Sequence, residues 1–295
     1  MKINNHFKTA LFFTLACLSH HIYAQNQEKA LAHVVYEFVH VTDTNQRDKP
    51  RKEAMILYLG THHSVYKSQT LALKLEEMKK QIEEGSRDPM RKNALFFSSP
   101  NVSNQELFLF PQQQNFFTCD KLGTTDYIIR EDYPLMDWQI NNETKTIGGY
   151  ACQQATTSFG GRIYTAWFTE ELPFPYGPWK LHGLPGLILQ ATDDKQEVQF
   201  IYAGFDKNEN DAISISLPAN GQKTTAEQFA KAKDVFDRNF ASNWKNNLPA
   251  NAKAKLVIKD QSGREISPDE FNALQEQNNK DQKNRFNNPL ERKHP

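Results

Sequence analysis

The sequence has few of the features from which a function is most readily assigned. Its 295 residues include only three cysteines and 13 glycines, and lysine plus arginine equal aspartate plus glutamate at 35 each. Without an excess of positive charge, we expect no nucleic-acid partner and no electrostatic attachment to a membrane surface. No apolar run approaches the ~20 residues needed to cross a bilayer, so we do not expect the protein to be an integral membrane protein.

Motifs of common catalytic sites are also missing from the sequence. It contains no Gly-x-Ser-x-Gly elbow, no His-Glu-x-x-His pair, no Walker loop and no Gly-x-Gly-x-x-Gly turn. The residues therefore assign no catalytic group, and no cofactor is expected. A site without a known motif would escape this test, so an enzyme stays an alternative.

The N-terminus has the composition of an export signal. Lys2 and Lys8 precede an apolar stretch at 10–18, and Ala24 ends a small-residue cleavage sequence. Residues 1–24 are therefore predicted to be a signal peptide, and the mature protein to be periplasmic or extracellular. Lipoprotein anchoring at Cys17 fits less well, because the residue three positions upstream is not aliphatic.

Two cysteines remain after this segment, Cys119 and Cys152. In an oxidising compartment an even pair indicates a disulfide, which would stabilise the fold by roughly 3–4 kcal/mol. The alternative is two buried, unpaired thiols. Neither cysteine lies in a metal-ligand spacing.

Short apolar segments separated by turn residues predict most of the chain to be β-strand. We expect an α+β fold with a mainly antiparallel, curved β-sheet, arranged as a meander and partly covered by a few helices. Helical periodicity recurs near 69–84 and 225–244. One domain is predicted over 25–275, followed by a polar helical or disordered tail at 276–295.

The helix near 225–244 has a clear start signal in the sequence. Thr224 is followed by Glu227 at the spacing of a capping box. We expect this pair to satisfy the first free N–H groups of the helix.

Several segments occur in an order that is typical of one known family. They are residues 35–38, 57–60, 64–68, 147–153, 161–169, 177–179, 183–188 and 288–290. Together they resemble the GLPGLI family of Bacteroidota envelope proteins, which is named after the sequence at 183–188. The resemblance implies an exported envelope protein, and it supplies neither an activity nor a catalytic residue.

The segment at 183–188 is interpreted as a structural turn. Gly183, Pro185 and Gly186 precede an apolar run that is typical of a buried strand. We expect Gly186 to need a backbone conformation or a close approach that a side chain would obstruct.

Adjacent histidines form the best candidate for a metal site. His62 and His63 would need a third ligand from a neighbouring strand. Neighbouring side chains on a strand point to opposite faces, so both would rarely bind one ion. A solvated surface pair is therefore the favoured interpretation, and no metal is predicted.

Aromatic residues cluster around a proline-rich loop at 173–178. The candidate ligand-binding residues are Trp167, Phe168, Phe174, Tyr176 and Trp179. They predict a groove for an apolar small molecule or a peptide, and the alternative is the rim of the core packed against the helices.

Two charged positions have structural interpretations. Arg162 is expected to form a structural ion pair rather than an anion site. Asp193 and Asp194 lie between two predicted strands and are interpreted as turn residues.

These observations favour a secreted or periplasmic protein that binds an apolar ligand or an envelope protein without catalysis. The alternatives are an envelope enzyme with an unrecognised site and a structural or assembly factor for an outer-membrane complex. A cavity would favour the first function, a cleft of titratable groups the second, and a large exposed apolar patch the third.

Overall fold

The computed structural model describes residues 27–86, 102–208, 213–238 and 286–292, and a few positions between 258 and 277. The predicted signal peptide, residues 1–24, lies outside the described residues. Neither helix in the described part is long and apolar enough to cross a membrane.

The described elements are short strands and two α-helices. The helices are α1 (Gln69–Ser86) and α2 (Ala226–Arg238), and a 3₁₀ turn covers Pro111–Gln113. The strands are β1 (Glu28–Lys29), β2 (Ala32–His40), β3 (Arg51–Leu59), β4 (Ser64–Ser68), β5 (Glu106–Phe110), β6 (Asn115–Leu122), β7 (Thr125–Glu131), β8 (Gln139–Ile147), β9 (Tyr150–Phe159), β10 (Arg162–Thr169), β11 (Leu187–Asp193), β12 (Val198–Lys207), β13 (Ser214–Ile215), β14 (Gln222–Thr224), β15 (Ile258–Lys259) and β16 (Glu265–Ile266).

Twelve of these strands form one sheet, in the order β14-β7-β6-β5-β4-β3-β2-β12-β11-β10-β9-β8. Every neighbouring pair is antiparallel except β14 and β7, which are parallel. Strands β2 to β7 form one meander and β8 to β12 form another, and the pairing of β2 with β12 joins the two. The prediction of a mainly antiparallel sheet with few helices is confirmed.

Alternation along each strand creates the main core on one face of the sheet. On β2, the side chains of Val34 and Tyr36 are fully buried, whereas Val35 between them is partly exposed. Leu57 and Leu59 on β3 join them, and Phe200 contributes from β12. A smaller cluster lies on the opposite face and includes Ala30, Val65, Phe108, Cys119, Ile128 and Ile215.

The two cysteines are both free and buried, so the predicted disulfide is not formed. Cys119 belongs to the smaller cluster together with Val65, whereas Cys152 belongs to the main core together with Tyr66. Because Val65 and Tyr66 are consecutive on one strand, they point to opposite faces. The cysteines therefore lie on opposite faces and eight positions apart in the strand order.

The helices pack at separate places on the sheet. Helix α1 contacts β3, and helix α2 contacts β7 through Phe229, whose ring lies 5.4 Å from that of Tyr127. The cap of α2 is one residue later than the sequence suggests. Gln228 N–H donates to Thr225 Oγ1 at 3.2 Å, and Thr225 N–H donates to Gln228 Oε1.

Residues 286–292 are held against the sheet. Asn288 is buried with only 3% of its surface exposed, and Leu290 packs against the main core. The predicted polar tail, residues 276–295, therefore contains a packed part. Its neighbours at 278–285 and 293–295 lie outside the described residues.

Candidate functional site

A cavity of about 510 Å³ lies on the core face of the sheet. Strands β2 to β7 and β12 contribute to it, together with residues 179–180 and the segment 286–291. The lining residues are Phe38, His40, Thr42, Arg51, Glu53, Met55, Tyr66, Ser103, Gln105, Leu107, Thr118, Glu131, Trp179, Lys180, Phe200, Phe286, Asn288, Pro289, Leu290 and Glu291.

Trp179 provides an aromatic wall of the cavity in an uncommon backbone conformation. Its φ of 58° lies in the left-handed region, which costs a residue with a side chain of the order of 1 kcal/mol. The indole is nearly parallel to the ring of Phe200, with 6.3 Å between ring centroids and 14° between planes. The ring of Phe159 packs against it edge-on at 5.4 Å. These contacts hold the indole in place.

Lys180 links two walls of the cavity. Its Nζ lies 2.9 Å from Glu131 at the end of β7 and 2.5 Å from Glu291 in the C-terminal segment. Burial alone would lower the pKa of Lys180, but its hydrogen bonds to Glu291 and Glu131 outweigh burial and raise that pKa. Glu131 also accepts a hydrogen bond from the hydroxyl of Thr118. The lysine is therefore a fixed cation.

A second ion pair lies on strand β3. Arg51 Nη2 is 2.5 Å from Glu53 Oε2, and the other oxygen of Glu53 accepts the N–H of Ser103 at 2.8 Å. The side chain of Glu53 is 1% exposed. Because both of its oxygens have partners, the buried carboxylate is compensated.

His40 is a neutral group in the lining of the cavity. Its Nε2 lies 2.9 Å from the carbonyl oxygen of Asn288. Burial, followed by the nearby positive charge of Arg162, lowers the pKa of His40 to about 4. At neutral pH the ring carries no charge and donates its Nε2–H to that carbonyl.

Arg162 holds the C-terminal segment, residues 286–292, through several contacts of its guanidinium. Its guanidinium contacts Asp193 at 2.6 Å, the side-chain oxygen of Asn288 at 2.7 Å and the carbonyl oxygen of Leu290 at 3.0 Å. The structural ion pair predicted for Arg162 is confirmed. Asp194 lies in the turn as predicted, whereas Asp193 ends β11 as the buried partner of this arginine.

Glu197 extends the same network. It binds Arg47 at 2.7 Å and Arg292 at 2.5 Å, and its side chain is 3% exposed. Burial would raise the pKa of Glu197, but the hydrogen bonds from Arg47 and Arg162 together with the charge of Arg292 lower it. Glu197 is therefore an anion that helps to hold residues 288–292 against the sheet.

The five aromatic residues proposed from sequence do not form one groove. Of these five described residues, only Trp179 lines the cavity. Phe168 and Tyr176 are buried in the main core, and Phe174 packs against it. Trp167 lies beside Lys145, whose Nζ is 4.3 Å from its ring centroid.

The adjacent histidines have different surroundings. His62 is exposed and its Nδ1 lies 2.8 Å from Gln112 Nε2, whereas His63 is buried with Nδ1 3.0 Å from a carboxylate oxygen of Glu28. Burial lowers the pKa of His63, and Glu28 opposes that effect. Among the described residues, no group of three or more metal-ligating side chains is positioned to hold an ion.

The segment at 183–186 approaches another part of the backbone closely. A Cβ added to Gly186 would lie 2.0 Å from the carbonyl oxygen of Thr169. Gly183 has a φ of +90°, in a region that side chains disfavour. Leu184 between them is buried and Pro185 is exposed. This segment leads directly into β11.

Part of the chain matches a known family. Residues 98–214 match the family described as N-glycanase peptide, N-terminal domain. This match overturns the resemblance to the GLPGLI family. The prediction of non-enzymatic binding of an apolar ligand or a protein partner is overturned with it.

Solved structures of PNGF-II in space groups P21 and C2 resemble the chain at 15% and 14% sequence identity, each with a TM-score of 0.46. The similarity covers 68% and 70% of this chain, but 32% of each PNGF-II chain. The chain therefore spans about a third of the length of these structures. No curated protein matches the sequence.

Most of the polar groups of the cavity have no local signal in the sequence. Glu53 and Glu131 occupy ordinary strand positions, and Asn288 lies in a segment predicted to be a polar tail. Lys180 directly follows a predicted aromatic residue but belongs to no motif. Only the strand register and the docking of the C-terminal segment bring these groups together.

Proposed function

We propose that this chain has a glycan-related function and that its cavity binds sugar residues of N-linked glycoproteins. The family matched by residues 98–214 is named after an N-glycanase. The matched segment contributes Ser103, Gln105, Leu107, Thr118, Glu131, Trp179, Lys180 and Phe200 to the cavity. The matched segment therefore forms part of the cavity wall, and the rest of the wall comes from residues outside the match.

The combination of Trp179 with the ion cluster beside it carries the proposal. A pyranose ring has a face of C–H groups, which stacks on an aromatic ring, and a rim of hydroxyls. The Nζ of Lys180 lies 5.9 Å from the ring centroid of Trp179 and is paired with Glu131 and Glu291. The lysine can donate hydrogen bonds to such hydroxyls, and the two carboxylates can accept them. A volume of about 510 Å³ falls in the usual range for small-molecule sites, ~300–1,000 Å³.

We also propose that the sheet is curved around the cavity. In a flat sheet β7 and β12 would lie six strand spacings apart, about 29 Å at ~4.8 Å each. Glu131 on β7 and Phe200 on β12 line the same cavity of about 510 Å³. Such a small volume can touch both strands only if the sheet curls.

The predicted export signal at residues 1–24 agrees with this function, because N-linked glycoproteins are found outside the cytoplasm. We therefore also propose that the protein is exported from the cytoplasm. The partner would then be a glycoprotein rather than an apolar molecule.

The proposal is tested by calorimetric titration of the chain with a glycopeptide that carries one N-linked glycan. The same peptide without the glycan is the ligand control. We expect the glycopeptide alone to bind, Trp179→Ala to weaken its binding about tenfold or more, and Trp179→Phe to retain most of it. Trp167→Ala, which removes an indole outside the cavity, should bind like the unchanged protein.

Mass spectrometry of the same mixtures shows whether the glycan remains on the peptide. Loss of the glycan from the unchanged protein's mixture, but not from that of Trp179→Ala, would assign cleavage to this cavity. Equal heats for the glycosylated and bare peptides would overturn the proposal.

A further inference from the structure

The cavity is rich in charged groups but has an excess of negative ones. Its described lining contains three carboxylates, Glu53, Glu131 and Glu291, and two permanent cations, Arg51 and Lys180. His40 adds no charge at neutral pH, because its pKa is lowered to about 4. The described lining is therefore anionic.

Both cations are already paired within the cavity. Arg51 binds Glu53 at 2.5 Å, and Lys180 binds two carboxylates, Glu131 at 2.9 Å and Glu291 at 2.5 Å. A carboxylate on a ligand would either lie beside these glutamates and be repelled by them, or displace one of them from its cation. The displaced carboxylate would then remain near the ligand without its counter-ion.

We infer that the cavity selects uncharged saccharides and excludes glycans ending in carboxylate-bearing sugars such as sialic acid. The cluster of Lys180, Glu131 and Glu291 determines this selectivity. The inference rests on the glycan-related function proposed above and specifies the class of glycan.

Neutral sugars avoid the cost that acidic sugars meet. A hydroxyl can donate to Glu131 or Glu291 and at the same time accept a hydrogen bond, so both ion pairs of Lys180 can persist. A sugar carboxylate only accepts, and it faces the negative charges of Glu131 and Glu291 beside the largely buried Lys180. Repulsion of this kind separates similar ligands more sharply than attraction alone.

The test compares two glycopeptides that share one peptide and one biantennary N-glycan. One glycan ends in galactose and the other in sialic acid, and both are titrated calorimetrically at the same salt concentration. We expect the sialylated form to bind at least about tenfold more weakly. Glu291→Gln should narrow this difference, because it removes one negative charge and leaves Lys180 paired with Glu131.

Glu143→Gln is the matched control. It removes the same charge from an exposed position on β8, outside the cavity lining, and should leave the affinity ratio unchanged. If Glu291→Gln does not fold, Glu131→Gln tests the same cluster from the opposite wall. A circular dichroism melt identifies a variant that has not folded.

Equal affinities for the two glycopeptides, or tighter binding of the sialylated one, would overturn the selectivity and leave the glycan-related function standing. The same holds if Glu143→Gln changes the ratio as much as Glu291→Gln does. If neither glycopeptide binds, the proposed function itself fails, and the selectivity fails with it.

Discussion

The guanidinium of Arg162 lies 2.6 Å from a carboxylate oxygen of Asp193, and both side chains are completely inaccessible to solvent. The two residues belong to adjacent antiparallel strands, β10 and β11. Arg162 also binds Asn288 and the carbonyl oxygen of Leu290. One buried ion pair therefore connects the sheet to the segment that closes the cavity.

Removal of Asp193 should be strongly destabilising. Asp193→Ala removes the nearer carboxylate partner of the buried Arg162 and leaves it only the longer contact with Glu197, at 3.4 Å, among the described residues. It also removes the acceptor for the N–H groups of Glu197 and Val198. We expect the free energy of unfolding to fall by about 3–5 kcal/mol, measured by denaturant titration. Asp194→Ala changes the exposed neighbour and should unfold like the unchanged protein. Similar curves for both variants would contradict this role of the pair.

Gly186 should not tolerate even a methyl group. A Cβ there would lie 2.0 Å from the carbonyl oxygen of Thr169, so one of the two backbone segments must move. Gly186→Ala is expected to lower the free energy of unfolding by about 1–3 kcal/mol or more. Gly204→Ala is the control, because a Cβ at Gly204 would have no atom within 4 Å. Equal melting temperatures for the two variants would show that the close approach can relax freely.

Local sequence patterns predict the strands but not which strands pair across the sheet. The alternation of apolar residues in β2 and β3 and the polar link between them indicate a hairpin, which the structure contains. The pairing of β2 with β12 joins segments about 160 positions apart, and no local signal encodes it. Long-range pairing depends on burial of the complete core face.

The same limitation explains the errors at the candidate site. The even number of cysteines after the predicted signal peptide and the predicted oxidising compartment both favour a disulfide between Cys119 and Cys152. However, a shift of one residue in strand register decides which face of the sheet a cysteine occupies. Trp179 can be singled out from the sequence, because it directly follows the proline-rich loop around which other aromatic residues cluster. Glu291, which pairs with the neighbouring Lys180, lies more than 100 positions away, in a segment that its polar neighbours predict to be a tail.

His40 should make stability depend on pH. Its pKa is lowered from 6.5 to about 4 in the folded protein, so the unfolded chain takes up a proton first as the pH falls. This contribution to stability is complete above pH 6.5 and decreases towards pH 4. Between pH 7 and pH 5 we expect it to lower the free energy of unfolding by about 2 kcal/mol.

Denaturant titrations at pH 7 and pH 5 measure this dependence. In His40→Gln, the free energy of unfolding should change much less between pH 7 and pH 5 than it does in the unchanged protein. His62→Gln alters an exposed histidine and should keep the original change. The explanation fails if the His40 variant shows the full pH dependence.

Asn288 should control the attachment of the C-terminal wall. Its side-chain oxygen accepts from Arg162 at 2.7 Å, and its side-chain nitrogen donates to the carbonyl oxygen of Val41 at 2.7 Å. Asn288→Ala removes these bonds and those that the same side chain makes with Glu197 and Arg292. It leaves a buried guanidinium N–H without its acceptor, at a cost of about 1–3 kcal/mol. We expect faster hydrogen exchange in residues 286–292, measured by mass spectrometry.

Asn287→Ala provides the comparison for this change. Asn287 is exposed, and its side chain forms hydrogen bonds with Asp43 and Thr44. Removal of this side chain should therefore leave hydrogen exchange at 288–292 near the original rate. Because Glu291 is carried by the same segment, detachment at Asn288 should also weaken glycan binding, while Asn287→Ala should not. Unchanged exchange in Asn288→Ala together with weaker binding would mean that Asn288 acts on the ligand directly, since the wall would then still be in place.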